Sequence, residues 1–118
     1  MFFKNVNHQR YLSIGDLMAY FIIYEAYELV RSSGLVSSES EFSESWLGYS
    51  ESYLRTLRFN NAEPSLGALA VCASRLQRAG EQMIVSPRYR QMGARFLALS
   101  EKCHEHVNQA AVELELTA

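Results

Sequence analysis

Residues 42–66 read FSESWLGYSESYLRTLRFNNAEPSL, with the pattern of two short helices joined by a tight turn. Phe42, Trp46 and Leu47 supply one apolar side of the first helix. Gly48 closes it where a left-handed residue costs little. Ser50 stands at the expected N-cap of the second helix, whose apolar stripe is Tyr53, Leu54 and Leu57. Pro64 pushes the residue before it out of the helical region, and Ser65 opens another helix. The pattern predicts a helix-turn-helix.

Upstream, Ser38 is the expected cap of the first helix of this unit, with Glu41 at the third helical position. Before it, a helix starting near Ser13 carries a capping-box-like Asp16 and ends at Gly34. Twelve of the fourteen residues 17–30 are apolar or aromatic, so this helix needs cover on nearly every side. A chain of 118 residues has little apolar surface to spare for Tyr20, Tyr24 and Tyr27, which makes a second subunit the expected source of cover. Residues 1–12 show no period and are read as an arm without regular structure.

Downstream, Leu66, Leu69, Ala70, Cys72, Ala73 and Leu76 form an amphipathic face, and Gly80 is expected to end that helix. Ser86-Pro87 reads as an N-cap with proline in the first turn. From there Met92, Phe96, Leu99, Cys103, Val107, Ala110 and Leu114 follow at near-heptad steps. Arg88, Arg90 and Arg95 crowd the start of this last helix, and Glu101, Glu105, Glu113 and Glu115 its end. That polarity suits an antiparallel second copy, with Met92, Phe96 and Leu99 joining the tyrosines in the expected homodimer interface. The expected fold class is therefore all-α: five helices, a central helix-turn-helix and a long C-terminal helix. The expected organisation is an arm over 1–12, a helix-turn-helix domain over 13–80, and an oligomerisation or docking helix over 86–116.

Residues 29–76 resemble the lambda-repressor-like, Cro-type helix-turn-helix domain. The resemblance rests on Gly34-Leu35, Ser38, Phe42, Gly48, the Ser50, Ser52, Tyr53, Leu54 run, Leu57, Pro64-Ser65-Leu66, Leu69, Ala73 and Leu76. Ser43 stands where that pattern usually has alanine, and the Phe42–Gly48 and Leu57–Pro64 spacings are each one residue longer. The resemblance implies a dimeric, cytoplasmic transcription regulator that presents residues 50–58 to duplex DNA. Arg55 and Arg58 would contact bases or phosphates, Ser50 and Ser52 the DNA backbone, Glu51 a cytosine amino group, and Arg75 and Arg78 the flanking phosphates.

Charge opens a second expectation. The net charge is −2, with nine arginines and two lysines, so phosphate contact must rest on a local patch. Glu39, Glu41 and Glu44 on the preceding helix, with Glu51, would suit a basic protein partner, as in an inhibitor, antiactivator or adaptor. Other classes find less support. Cys103-His104-Glu105-His106 offers too few ligands for a structural zinc site, so no metal is expected. No nucleophile elbow or phosphate-binding glycine loop is present, so neither an enzyme nor a cofactor is expected. Cys72 and Cys103 fall in apolar-periodic helices and read as buried free thiols of a reducing cytosol. The apolar run 17–24 is cut by Glu25 and Glu28, short of the ~18 residues that span a bilayer, so no membrane association is expected.

Overall fold

The computed structural model describes residues 4, 5, 10, 11 and 14–117, with side chains over 17–115. Five helices carry the domain: α1 (Ile14–Ser32), α2 (Glu39–Leu47), α3 (Tyr53–Asn60), α4 (Leu66–Ile84) and α5 (Arg90–Thr117). Ahead of them, β1 (Lys4–Asn5) pairs antiparallel with β2 (Arg10–Tyr11), with Lys4 opposite Tyr11. The arm over 1–12, expected to lack regular structure, thus holds a two-residue ladder.

The helix ends follow local chemistry. Gly34 takes φ +81°, letting its N–H reach the Arg31 carbonyl at 3.0 Å and that of Leu35 reach Val30 at 3.2 Å. This is the paired closure that satisfies two otherwise orphaned carbonyls. At the start of α2 the Ser38 hydroxyl accepts the Glu41 N–H at 3.1 Å. Glu41 reaches back to the N–H of Ser37 at 2.7 Å, one residue outside the usual capping box. Gly48, at φ +73°, turns the chain out of α2. The Ser65 hydroxyl accepts the Ala68 N–H at 3.0 Å and opens α4.

Three expected joints fall elsewhere. Ser50 does not cap α3: its hydroxyl lies 3.3 Å from that of Ser52, and helical geometry begins at Tyr53. Ser50 serves instead through its carbonyl, which accepts the Tyr53 N–H at 3.1 Å and rounds off the turn. Gly80 does not end α4, which continues to Ile84. Nor does Ser86-Pro87 begin α5. Those residues form the turn between the helices, where Tyr89 donates to the Ser86 carbonyl at 3.1 Å, and α5 starts at Arg90.

What Gly80 does instead is let two backbones touch. A Cβ placed on it would sit 3.0 Å from the Gly93 carbonyl oxygen and 2.8 Å from Leu97 Cγ. A Cβ on Gly93 would lie 2.9 Å from the Gly80 carbonyl oxygen, the Ile84 nitrogen and Met83 Cβ. The antiparallel pair α4–α5 therefore crosses backbone against backbone. Further along it, the buried Ser100 hydroxyl donates to the Ala73 carbonyl at 2.7 Å.

The remaining helices close over this pair. Ile23 and Val30 of α1, Phe42 and Leu47 of α2, Leu54 of α3, Leu69, Cys72 and Leu76 of α4, and Phe96 and Cys103 of α5 are fully buried in one continuous core. Tyr20, Tyr27, Phe96 and Leu99 are also buried in it, and Tyr24 and Met92 pack against it half-buried. The cover expected from a second subunit is supplied for these six residues by the chain's own helices. The α5 seam is half-buried at Met92, buried at Phe96, Leu99 and Cys103, half-buried at Val107 and Ala110, and 60 % exposed at Leu114. No helix among the described residues is long and apolar enough to cross a membrane.

Two variants test this packing by urea denaturation. Gly93→Ala should lower stability by roughly 2 kcal/mol, because overpacking against backbone outweighs the ~1 kcal/mol gain in helix propensity. Ser43 is fully buried, and its hydroxyl finds no hydrogen-bond partner. Ser43→Ala should raise stability by about 1 kcal/mol by removing that uncompensated polar atom. A lower unfolding midpoint for it would contradict this account.

Candidate nucleic-acid interface

One joint ties the turn of the α2–turn–α3 unit to the start of α4. The Tyr53 hydroxyl accepts the Ser65 N–H at 2.9 Å, while the Tyr49 and Ser65 hydroxyl oxygens lie 2.6 Å apart. The two rings pack at 4.3 Å between centroids. The turn over residues 48–52 and the start of α4 are thereby locked together, fixing how α3 stands on the domain. Sequence periodicity marked Tyr53 only as an apolar position. The phenol's reach of twelve residues along the chain left no local signal.

α3 is anchored by Tyr53, Leu54 and Leu57, of which the two leucines are buried. The opposite side carries Ser52, Arg55, Thr56 and Phe59, spaced three, four and seven residues apart, hence on one stripe. Ser52 is half-buried and the other three are exposed. Ser50 and Glu51 are exposed in the preceding turn.

The arginines divide into two groups. Arg55 donates to the Ser40 hydroxyl at 3.0 Å. Arg58 donates from one nitrogen to both oxygens of Glu39, at 2.8 Å each, and its guanidinium lies 5.7 Å from the Tyr24 ring centroid. Tyr24 donates its hydroxyl to the same carboxylate at 2.8 Å and stacks on Tyr20 at 5.0 Å. Burial raises the Glu39 carboxyl against the pull of Arg55. The Arg58 and Tyr24 bonds keep that half-buried carboxylate satisfied. Arg58 is thus turned back onto α1 and α2, whereas Arg55 lies along the outward stripe. Arg75 and Arg78 are exposed on α4. The seven residues expected at the interface therefore occupy two places: Ser50, Glu51, Ser52, Arg55 and Arg58 on the turn and α3, and the other two on α4. Phe59, absent from that expectation, shares the stripe and is 80 % exposed.

Two further constellations resolve simply. Cys72 and Cys103 are free thiols meeting across α4 and α5, and the hydrogen bond between them, with burial, pushes the Cys72 thiol well up. Such thiols are inert. His104 points to Gln77 at 3.3 Å, and no group of three or more metal-ligating side chains exists among the described residues.

Burial pushes Tyr20 up to about 12 from its ordinary 10.0. A raised phenol stabilises the fold while it stays protonated, and that contribution is lost as pH rises through the folded value. Wild-type stability should therefore fall between pH ~10 and ~12 more steeply than that of Tyr20→Phe. Matching slopes in urea titrations across that range would refute the assignment.

Neither a curated protein nor a solved structure matches the chain. A family model does match, over residues 23–116, from the middle of α1 to nearly the end of α5. The chain belongs to the family of unknown function DUF6626.

Proposed function

We propose that this protein is a small DNA-binding regulator that lays α3 in the major groove, and that α2, the turn and α3 correspond to a Cro-type helix-turn-helix. The carrying observation is the outward stripe Ser52, Arg55, Thr56 and Phe59 on a helix whose other side is fully engaged in the domain. An eight-residue helix is about 12 Å long, comparable to the width of the major groove. Arg55 carries the strongest base-reading group on the stripe; it bonds the Ser40 hydroxyl and also feels the Glu39 carboxylate. Exposed Ser50 and Glu51 lie at the end of α3 nearest the turn, where recognition helices commonly touch base edges and phosphates. Arg75 and Arg78 extend the contact to flanking phosphates. A homodimer, paired antiparallel through the basic and acidic halves of α5, would present two such helices to a symmetric site.

One observation favours a second reading, in which the same face engages a basic protein. Arg58 is already neutralised by Glu39, while Glu41, Glu44 and Glu51 are exposed on α2 and the turn. The protein would then act as a non-enzymatic inhibitor or adaptor.

Enrichment of duplexes from a random pool, followed by fluorescence anisotropy, separates the two. The first reading expects salt-sensitive binding that Arg55→Ala weakens about tenfold without changing the circular dichroism. Glu39→Gln should strengthen binding by freeing Arg58 for a phosphate. Failure to enrich any duplex at about 50 mM salt overturns it. Retention of a partner protein that depends on Glu41 and Glu44 would establish the second.

A further inference from the structure

Phe59 is the most exposed large apolar side chain among the described residues, at 80 %. It contributes nothing to the core, because Leu54 and Leu57 already fill the buried side of α3. The ring lies one helical turn beyond Arg55, on the same outward stripe. A phenyl ring has no donor or acceptor, so it distinguishes base pairs only by apolar contact. On a major-groove edge the one apolar feature is the thymine C5-methyl group.

We infer that Phe59 is a specificity-determining residue that reads a thymine methyl group; this rests on the DNA-binding reading of α3. Four residues of helix rise about 6 Å, against 3.4 Å per base-pair step. The thymine therefore lies within about two base pairs of the base that Arg55 contacts. Thr56, between the two on the same stripe, brings a methyl and a hydroxyl to the intervening step.

The test uses the full chain and a duplex enriched from a random pool, with each thymine replaced in turn by deoxyuridine, which lacks only the methyl. Wild-type protein should lose about fourfold in affinity at one thymine per half-site, the value of one buried methyl group. Phe59→Ala should bind the thymine duplex about fourfold or more weakly and no longer distinguish thymine from deoxyuridine there. As an exposed position, it should leave the circular dichroism unchanged. Equal wild-type affinity for both duplexes overturns the inference while leaving DNA binding intact. Discrimination that persists in Phe59→Ala overturns it too, by placing the methyl elsewhere. If no duplex is enriched at all, the DNA-binding reading falls and this inference with it.

Discussion

The backbone contact between α4 and α5 at Gly80 and Gly93 sets the spacing of the rest of the domain. With no Cβ on either residue, the two helices approach until carbonyl and amide groups define the contact. That approach brings Cys72 and Cys103 together in the core and allows the Ser100 hydroxyl to reach the Ala73 carbonyl. A wider crossing would open space beneath Phe96, and interiors tolerate such voids poorly. α1 and α2 then complete the core over a pair of helices whose separation is fixed by backbone atoms.

α2 packs directly on this platform, through Phe42, Leu47 and the Trp46 ring 6.2 Å from that of Phe96, whereas α3 is tied to it mainly at its root. α3 has two buried leucines, and its orientation is set by the Tyr49, Tyr53 and Ser65 joint at the start of α4. Ser65 has three tasks at once: its hydroxyl caps α4, its N–H is received by Tyr53, and it closes against Tyr49. A small helix with little buried area keeps a defined attitude because polar bonds at its root hold it. A helix offered to a partner needs this arrangement, since its outer face stays free while its inner face is not deep enough to fix it.

Helix number, the long α5 and the closures at Gly34, Gly48, Ser38 and Ser65 were all legible in the sequence, because each rests on a local rule. The misread end of α4 has a plain cause. A glycine inside an apolar period is either a terminator or a place of close approach, and the sequence near Gly80 holds nothing to choose between them. Gly93, which decides the matter, is thirteen residues away on another helix. The same limit applies to the tyrosines of α1. Whether an all-round apolar helix is covered by its own chain depends on where α2 and α5 lie, and five helices prove sufficient for Tyr20 and Tyr27. The arginines of α3 were visible as a pair beside the acidic α2, and the fold singles out Glu39, nineteen residues before Arg58, as the carboxylate that holds one of them.

This last contact changes how the acidic character of α2 bears on function. Counted by sequence, Glu39 opposes any approach of phosphate to α3. In the folded chain its carboxylate faces Tyr24 and Arg58, so its charge is largely compensated within the domain. Arg58 is compensated equally. The outward stripe consequently carries one strong charge, on Arg55, beside the polar Ser52 and Thr56 and the apolar Phe59. Affinity drawn from phosphate neutralisation would have to come from α4, the turn after it and the start of α5, where Arg75, Arg78, Arg88, Arg90 and Arg95 are all exposed. Discrimination would come from α3. A protein that divided the labour in this way would reconcile a net negative chain with sequence-dependent binding, because only phosphate neutralisation requires many positive charges.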